Sequence, residues 1–473
     1  MPLVDHPAII WYRRDLRVSD HPALSAAVVG GRKVIPLYIT SHWKRRHCWT
    51  GPKRQHFLCG CLRSLAANLE ALGAGLVIRH GDAVAELLRL AKETKARSIY
   101  FHLDPDPFGK LTERRLSEAC EEAGIECIGL NDVSLHGPDE VLTKTEQPYR
   151  VFTPYSKTWF PLVKPAVLGK PSKLPALPKL ASLPLPDVGH WGLAEPNADL
   201  PEPGERAARQ RLKQAVKSRL APYKDQRNNP AADGTSRLSQ DLRFGLLSPR
   251  TVYHAAHAEL ANATPSARTG IQTFLTELAW REFYFAILHH YPEVLEHEFN
   301  PDWRGLPWDE PGERFEAWKT GRTGFPFVDA GMRELLATGF MHNRLRMVTA
   351  MFLTKDLHLD WRLGESFFMQ HLIDGEIASN NGGWQWSAGT GADAAPYFRI
   401  QNPWTQGLRF DPQGIYIKRW IPELAGVPPD ALHSPPAKGK VLAKGYPLPI
   451  VDHATERDRT MAIFNRHKAL RNR

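Results

Sequence analysis

Two hydrophobic patterns divide the chain into a part with strands and a part without them. Short apolar runs rich in Val, Ile, Leu and Tyr recur in the first 135 residues and alternate with helical patterns. Such runs predict a parallel sheet covered by helices on both faces, a Rossmann-like doubly wound layer. The predicted elements are the strands Ala8–Tyr12, Lys33–Ile39, Gly75–Arg79, Ser98–His102 and Ile125–Leu130 and the helices Lys53–Leu72 and Leu111–Ala123.

From about Glu205 onward, apolar residues recur at helical spacing and the sequence shows no second set of strand patterns. We therefore predict an α/β domain at residues 1–135, a connector at 136–204 and an all-helical domain at 205–473. The predicted helices of this last domain are Arg206–Leu220, Ser248–Leu260, Gly270–His290, Phe327–Thr338, Arg344–Leu357 and Glu365–Ile373.

Proline marks the connector between the two patterns. Nine prolines fall between residues 165 and 203. Proline at this density blocks both helices and central strands, because it lacks a backbone N–H and fixes φ. We therefore predict a long irregular segment that wraps over the surface of the protein.

Charge, cysteine content and the lack of long apolar runs limit the kinds of protein that this chain can be. The net charge of +10 is compatible with a polyanionic partner without requiring one. The five cysteines all lie in the first third, and an odd number there predicts free thiols in a reducing compartment. His47, Cys48, His56, Cys59 and Cys61 fit no zinc-finger spacing, so we expect no metal site. The sequence lacks a signal peptide and a long apolar run, which predicts a soluble cytoplasmic protein.

A short polar segment, Gly234 to Ser239, follows Tyr223 and Arg227. It places small hydroxyl residues after a glycine at the predicted start of a helix. Side-chain oxygens and free backbone N–H groups at such a place can hold a phosphate. The same pattern is also typical of an ordinary capped helix, which is the more frequent case.

Polar residues recur at helical spacing on two predicted helices. Glu277, Trp280 and Arg281 share one face, which forms either the wall of a polar cavity or an exposed salt-bridged patch. The flanking phenylalanines favour burial. On the second helix Asn343, Arg346 and Met347 share a face, which by itself favours a core helix with a basic edge.

Two carboxylates precede a segment rich in glycine and tryptophan. Asp374-Gly375-Glu376 is followed by Asn380-Asn381-Gly382-Gly383-Trp384-Gln385-Trp386. Glycine pairs occur where the backbone turns sharply or approaches a ligand closely, so we predict a turn beside a planar ligand. A solvated acidic turn and a glycine turn with tryptophans in the core remain the simpler interpretations. Too few oxygen ligands lie nearby for calcium or magnesium.

These segments, in this order, resemble the photolyase and cryptochrome family over nearly the whole chain. The resemblance includes Trp11-Tyr12-Arg13-Arg14-Asp15-Leu16-Arg17, Trp280-Arg281-Glu282-Phe283-Tyr284 and His342-Asn343-Arg344-Leu345-Arg346-Met347. Together with the segment at residues 380–386, it is closest to the class I photolyases that repair cyclobutane pyrimidine dimers. The resemblance therefore implies an FAD-binding helical domain and light-driven repair of DNA that contains pyrimidine dimers.

The resemblance also implies roles for individual residues. The cofactor-binding residues would be Tyr223, Thr235, Ser236, Arg237, Leu238, Ser239, Phe274, Arg281, Arg346, Asp374, Glu376 and Asn380, with Arg346 paired to Asp374 and Asn380 facing the flavin. The residues that contact DNA or the lesion would be Arg227, Glu277, Trp280, Asn343, Arg344, Met347, Trp386 and Gln406. Trp384, Trp361 and Trp308 would carry electrons to the flavin, and Glu277 would stabilise the lesion as negative charge develops on it.

The resemblance leaves two related functions open, that of a cryptochrome and that of a six-four photolyase. The absence of a C-terminal extension and the presence of Asn380 argue against the first, and a single histidine at His342-Asn343 argues against the second. Asp104-Pro105-Asp106-Pro107-Phe108-Gly109-Lys110 resembles the antenna loop of deazaflavin-type members. It therefore slightly favours an 8-hydroxy-5-deazaflavin antenna over methenyltetrahydrofolate or none. We expect a monomer that associates with the nucleoid through DNA.

Overall fold

The structure is a computed structural model that describes residues 6–41, 49–175, 180–394 and 396–471. The chain forms two compact units. The sheet unit comprises Met1–Pro196, Pro201–Ala221 and Ser236–Pro292, and the helical unit comprises Asn197–Leu200, Pro222–Thr235 and Glu293–Arg473. The two units are defined by contacts between residues and include segments that are distant in sequence. They therefore do not test the domain boundaries at residues 135 and 204, which stay a prediction. His47 and Cys48, two of the five residues examined for zinc, lie outside the described residues.

The sheet unit contains the five parallel strands that the sequence predicts. They are β1 Ala8–Tyr12, β2 Val34–Thr40, β3 Val77–His80, β4 Ser98–His102 and β5 Glu126–Leu130. Their order in the sheet is β3-β2-β1-β4-β5. The order reverses between β1 and β4, and ligands of doubly wound sheets bind at such a reversal, outside the carboxyl ends of the strands.

Helices account for about half of the remaining described residues. The first ten are α1 Pro22–Ala27, α2 Pro52–Glu70, α3 Ala83–Thr94, α4 Pro107–Ala123, α5 Phe152–Trp159, α6 Glu205–Ser218, α7 Tyr223–Gln226, α8 Ser239–Arg243, α9 Pro249–Ala258 and α10 Pro265–His290. The next nine are α11 Glu313–Lys319, α12 Pro326–Thr338, α13 Asn343–Met351, α14 Trp361–His371, α15 Ile377–Ala388, α16 Pro403–Phe410, α17 Ile415–Trp420, α18 Pro429–Leu432 and α19 His453–Arg471.

The predicted helices are confirmed, with different ends. The helix predicted at Arg344–Leu357 is α13 followed by a π-helical turn, Phe352–Asp356. The helix predicted from Glu365 begins one turn earlier, because the side chain of Asp360 accepts a hydrogen bond from the Arg362 N–H and caps α14.

The first part of the predicted connector carries α5 and a 3-10 turn, Pro138–Glu140, whereas its proline-rich stretch is irregular, as predicted. Among its described residues, 165–175 and 180–203, the only regular element is a short 3-10 turn, Val188–Trp191. The connector also covers the sheet. Leu183 donates its N–H to the Ile78 carbonyl of β3 at 3.0 Å, and Val34 of β2 donates to the Pro175 carbonyl at 2.9 Å. Because β3 is an edge strand, the connector shields backbone groups that could otherwise pair with another chain.

The glycine turn predicted at residues 380–386 is wrong. The whole segment lies inside α15, which ends at Ala388 and is followed by Gly389 in a left-handed conformation, with a φ of 81°. The side chains of Asn381 and Gln385 donate to the Val294 carbonyl at 2.9 Å and 2.8 Å, which fixes the helix in place. Packing and these hydrogen bonds therefore override the weak helical propensity of the two glycines.

No helix in the described part of the chain is long and apolar enough to span a membrane.

Candidate cofactor and DNA site

An ion pair joins α13 to the segment before α15 in the helical unit. The Arg346 guanidinium donates to Asp374 Oδ2 at 2.8 Å and to the Met341 carbonyl at 2.8 Å. The contact between Arg346 and Asp374 that the resemblance implies is therefore present. Asp374 Oδ1 is also buried, yet it has no hydrogen-bond partner among the described residues. A buried carboxylate oxygen without a partner is costly, so this atom is available to a donor on a ligand.

Asn380 and Glu376 lie beside this pair along α15. Glu376 is buried and precedes the first residue of the helix, and its carbonyl accepts the Asn380 N–H at 2.8 Å. The Asn380 side chain donates through Nδ2 to the Glu365 carbonyl at 3.1 Å. This bond fixes the amide on α14, so that its orientation is set by the protein before any ligand binds.

Glu365, which sequence reasoning missed, is a second buried carboxyl group between α14 and α15. Glu365 Oε1 accepts from Asn381 Nδ2 at 3.0 Å. Burial raises the pKa of Glu365 to about 8. The group therefore holds a proton at neutral pH, and its position at the start of a predicted helix gave no signal of this in the sequence.

Two of the three tryptophans assigned to electron transfer are buried in the helical unit. Trp384 packs edge-on against Phe368, with ring centroids 4.9 Å apart. The Trp361 indole donates to Glu298 Oε1 at 3.2 Å. Trp308 is half-buried and lines an open cavity of about 610 Å³. Trp384 and Trp361 are thus enclosed by the protein, and Trp308 is partly exposed. An electron path that ends at solvent requires such an exposed ring.

Trp318 is a further buried indole that no sequence motif marked. Its ring lies 6.0 Å from Trp384 and 6.0 Å from Phe368. Its N–H donates to the Thr349 carbonyl at 3.0 Å, which fixes the ring on α13. The sequence shows only that this region is rich in aromatic residues. It does not show which of the rings are in contact.

Guanidinium groups of the helical unit gather around Arg344. Arg344 donates to Asn228 Oδ1 at 2.7 Å and stacks over Phe410 at 4.3 Å. Burial lowers its pKa, and the neighbouring charges of Arg227 and Arg409 lower it further. Like charges held together cost energy in the free protein, so this cluster favours a polyanionic ligand.

The remaining predicted DNA contacts of the helical unit lie on α13, α15 and α16. Asn343 is exposed, and its amide lies 4.0 Å from the Met347 sulfur. Trp386 is half-buried. Gln406 Oε1 is buried without a hydrogen-bond partner in the described part of the chain, and the sequence marks Gln406 only through the resemblance.

The predicted phosphate segment contributes residues to both units. In the helical unit Tyr223 is buried under Arg227, with 5.7 Å between the guanidinium and the ring, and Thr235 is half-buried. In the sheet unit Leu238 is buried and Ser236 and Arg237 are half-buried. Arg237 has a φ of 57°. The helix starts at Ser239 as predicted, but the side chain of the residue before it, Leu238, makes no capping hydrogen bond.

The polar face of α10 is present in the sheet unit. Trp280 stacks on Phe152 with ring centroids 3.6 Å apart and an interplanar angle of 9°. Glu277 beside it is half-buried, and Phe274 one turn earlier is buried. One face of the Trp280 indole is therefore covered by the protein, which orients the ring.

Arg281 binds backbone carbonyls of the sheet unit. Its guanidinium donates to the Val133 carbonyl and stacks over Phe285 at 4.4 Å. Burial lowers the pKa of Arg281 to about 9. A direct contact with the cofactor stays a prediction, because the donors of Arg281 already serve backbone carbonyls in the sheet unit.

Glu282 was missed by sequence reasoning, although it is next to Arg281. Its carboxyl accepts the N–H groups of Leu135 and His136, and the Trp159 indole N–H at 2.6 Å. Burial raises its pKa to about 7. Glu282 therefore ties α5 and the chain after β5 to α10, and it is the buried carboxyl of this helix.

The loops after β1 and β4 meet at the reversal of strand order. Arg14 pairs with Asp104 at 3.0 Å, and Asp106 Oδ1 accepts the Gly109 N–H at 2.8 Å to cap α4. Burial raises the pKa of Asp106 to about 7, and the nearby Asp104 charge adds to the rise. The antenna-loop motif thus forms a charged, buried rim at the place where doubly wound sheets bind ligands.

The comparisons with known proteins agree with this arrangement. A family model for the FAD binding domain of DNA photolyase matches residues 274–466, and a DNA photolyase model matches residues 8–178. The deoxyribodipyrimidine photo-lyase of Synechococcus sp. is 39% identical over 98% of this chain and 97% of its own length. A class III photolyase structure from Agrobacterium tumefaciens has a TM-score of 0.90 at 37% identity and covers 98% of both chains.

An archaeal photolyase structure from Sulfolobus tokodaii, described with two FAD molecules, has a TM-score of 0.85 at 30% identity and covers 97% of this chain and 100% of its own. The parallel sheet, the helical unit and the two matched models define a two-part FAD-binding class of protein. The chain belongs to the DNA photolyase family. The assignment to class I stays a prediction, since the Agrobacterium structure is described as class III.

Proposed function

We propose that this chain repairs cyclobutane pyrimidine dimers in DNA with light absorbed by a bound FAD. One structural observation carries the proposal. Asp374, inside the region that matches the FAD binding model, is held by Arg346 through one oxygen, while its other oxygen is buried without a partner among the described residues. When bound and reduced, FAD supplies the excited electron that opens the cyclobutane ring; the protein binds, orients and tunes.

The cofactor residues divide by the chemistry they offer. Asp374 Oδ1 accepts a hydrogen bond from a ring N–H, and Glu376 accepts from further donors of the cofactor. Asn380 presents an amide that can donate or accept, so it suits both protonated and anionic reduced flavin. Tyr223, Thr235, Ser236, Arg237, Leu238 and Ser239 hold the phosphates and the ribityl chain, and Phe274 packs on the cofactor.

The residues predicted to contact DNA fall into two groups, those that contact backbone phosphates and those that contact the lesion. Arg227 and Arg344 neutralise backbone phosphates, and Gln406 contributes a polar contact. A pyrimidine dimer stacks and pairs poorly, so less energy is needed to flip it out of the duplex than to flip an intact base. Trp280 and Trp386 stack on the flipped lesion, while Asn343 and Met347 contact its edge.

Trp384, Trp361 and Trp308 form the proposed electron path from solvent to the cofactor. Two observations support it: Trp384 and Trp361 are almost fully buried, and Trp308 is half-buried. Buried rings keep a fixed separation, and a partly exposed last ring can be reduced from solution.

A second chromophore fits the rim formed by Arg14, Asp104 and Asp106. The Sulfolobus structure, described with two FAD molecules, supports a second chromophore in this family. We propose an 8-hydroxy-5-deazaflavin or methenyltetrahydrofolate antenna for this chain. We also propose that the protein is a cytoplasmic monomer that reaches the nucleoid by binding DNA.

The proposal is tested by illuminating reduced protein with dimer-containing single-stranded DNA and following the return of thymine absorbance. Glu277→Ala should lower repair per absorbed photon by about tenfold or more while changing dimer affinity little, because a protonated Glu277 carboxyl would donate a hydrogen bond to the lesion that strengthens as negative charge develops there. Gln272→Ala, at an exposed position of the same helix, is the control and should keep wild-type repair. Equal losses in repair and affinity for Glu277→Ala would contradict the role of Glu277, and absence of repair by the wild type would contradict the function.

A further inference from the structure

Two neighbouring histidines at the end of α10 face one carboxylate in the sheet unit. His289 Nε2 lies 3.4 Å from Asp139 Oδ2, and His290 Nε2 lies 3.7 Å from Asp139 Oδ1. One ligand atom of each residue lies within 4.8 Å of the other two. Asp139 belongs to the short turn Pro138–Glu140, which packs against the helix.

We propose that His289, His290 and Asp139 form a binding site for a divalent transition-metal ion of the zinc type. Two imidazole nitrogens and one carboxylate oxygen, completed by water, are a recurrent ligand set for Zn²⁺. Bond lengths near 2.1 Å place neighbouring ligand atoms of a tetrahedral ion roughly 3.4 Å apart. The separations from Asp139 to the two imidazoles are already close to this value.

The surroundings favour a cation at this place. The cluster lies at the C-terminal end of a long helix, where the backbone carbonyls carry partial negative charge. Lys110 already places its ammonium group there, 3.4 Å from the His289 carbonyl and 3.5 Å from His289 Nε2. Lys110 has a flexible stem, so a metal ion can displace its charged end from this position.

The carboxylate of the cluster can adjust its position to a metal ion. Asp139 is exposed, with 72% of its side chain accessible, and can move the short distance that coordination requires.

A second cluster, formed by Asp15, His21 and His102, differs from the proposed metal site. His102 donates through Nδ1 to Asp15 at 2.6 Å and accepts the Ala23 N–H at Nε2. His21 accepts the Leu24 N–H at Nδ1 and faces Asp15 through Nε2 at 3.0 Å. All four ring nitrogens lie within 3.1 Å of a backbone N–H or of the Asp15 carboxylate, so this buried cluster is a structural network.

The nitrogens that face Asp139 are held less firmly than those of the buried cluster. His290 Nε2 lies 3.3 Å from the Pro138 carbonyl, and His289 Nε2 lies 3.5 Å from the Lys110 ammonium. Both distances are long for a hydrogen bond. A metal ion can therefore replace these two contacts at small cost.

A metal at this site would join α10 to the turn that follows β5. Glu282, two turns earlier on the same helix, already binds the N–H groups of Leu135 and His136. The metal would add a second connection a few residues later in the chain. We therefore expect bound Zn²⁺ to raise the melting temperature of the protein, since a ligand of the native state stabilises it.

The test is calorimetric titration of the flavin-loaded protein with Zn²⁺. We expect one site in the wild type, and Asp139→Asn should weaken it by about tenfold or more. His257→Gln, an exposed histidine on α9, is the matched control and should leave the affinity unchanged. Lys110→Met should tighten binding, because it removes a competing positive charge.

Asp139 is exposed, so Asp139→Asn should fold even if a histidine variant does not. The proposal is overturned if Asp139→Asn binds Zn²⁺ as tightly as the wild type. It is also overturned if His257→Gln loses as much affinity as Asp139→Asn, since binding would then reflect scattered surface histidines.

Discussion

Asp374 bonds to the described residues through one of its two carboxylate oxygens. Arg346 holds Oδ2, and no described residue provides a donor for the buried Oδ1. At the scale of single residues, this atom is the clearest indication of a ligand-binding role. The sequence could suggest the Arg346–Asp374 pair through the family motif, but the unpartnered oxygen follows only from the packing of α13 against the start of α15.

Asp374→Asn tests this oxygen directly. The amide keeps the size of the side chain but removes the charge opposite Arg346, so FAD should bind about tenfold more weakly, or ~1.4 kcal/mol. The ratio of flavin to protein after gel filtration measures the effect. Asp302→Asn, an exposed aspartate of the same unit, should keep the wild-type ratio. Wild-type flavin retention by Asp374→Asn would remove Asp374 from the cofactor site.

Gly364 shows how a single missing side chain positions Trp384. A Cβ at residue 364 would lie 2.0 Å from the Trp384 ring, so Gly364→Ala must displace the indole. We expect a loss of stability of about 1–3 kcal/mol and slower photoreduction of oxidised FAD. Denaturant unfolding and absorbance during illumination measure the two effects.

Gly383→Ala is the matched control on α15. A Cβ there meets no atom within 4 Å, and alanine favours a helix, so stability should rise by about 0.5–1 kcal/mol. If Gly364→Ala left photoreduction unchanged, the position of Trp384 would not control the electron path.

At the scale of elements, α15 is where the sequence and the structure differ most. Two adjacent glycines indicate a turn on local propensity, yet the segment is helical. The side chains of Asn381 and Gln385 bind the Val294 carbonyl, a partner 87 residues away for Asn381. Local patterns could not reveal that partner. The strands were easier to predict, because buried parallel strands form continuous apolar runs.

Glu365 couples α14 to α15 and should make stability depend on pH. Its pKa in the folded protein is about 8, against an ordinary value of 4.5. The folded state therefore holds the proton more tightly than the unfolded state. This stabilisation is complete below the unfolded pKa and is lost as pH rises through the folded pKa.

Glu365→Gln mimics the protonated carboxyl at every pH. Between about pH 5 and about pH 8, wild-type stability should fall relative to the variant by on the order of 3 kcal/mol. Urea unfolding at both pH values measures the difference. Parallel pH profiles for the two proteins would show that Glu365 does not hold a proton in the native state.

Across the whole molecule, part of the positive charge of the chain is concentrated in one cluster of arginines. The positive charges of Arg227 and Arg409 act on the guanidinium of Arg344 within the helical unit and lower its pKa, in addition to the effect of burial. The sequence showed the net charge of +10, and it indicated Arg227 and Arg344 only through the resemblance. Arg409 carried no motif, so its membership of the cluster required the three-dimensional structure.

Arg344→Ala should weaken binding to undamaged and damaged DNA alike. It should also reduce the slope of log affinity against log salt concentration by about one unit, since one phosphate contact is lost. Fluorescence anisotropy at several salt concentrations measures the slope. Arg206→Ala, at an exposed position of α6, is the control. An unchanged slope for Arg344→Ala would place the DNA elsewhere.

An action spectrum shows whether bound FAD drives the repair of pyrimidine dimers. Repair of dimer-containing DNA by the reduced protein is measured at a series of excitation wavelengths, with a dark sample beside each. We expect no repair in the dark and a rate per photon that follows the absorption of the bound flavin and any antenna. Repair in the dark, or none at wavelengths that the flavin absorbs, would show that the flavin does not drive the reaction.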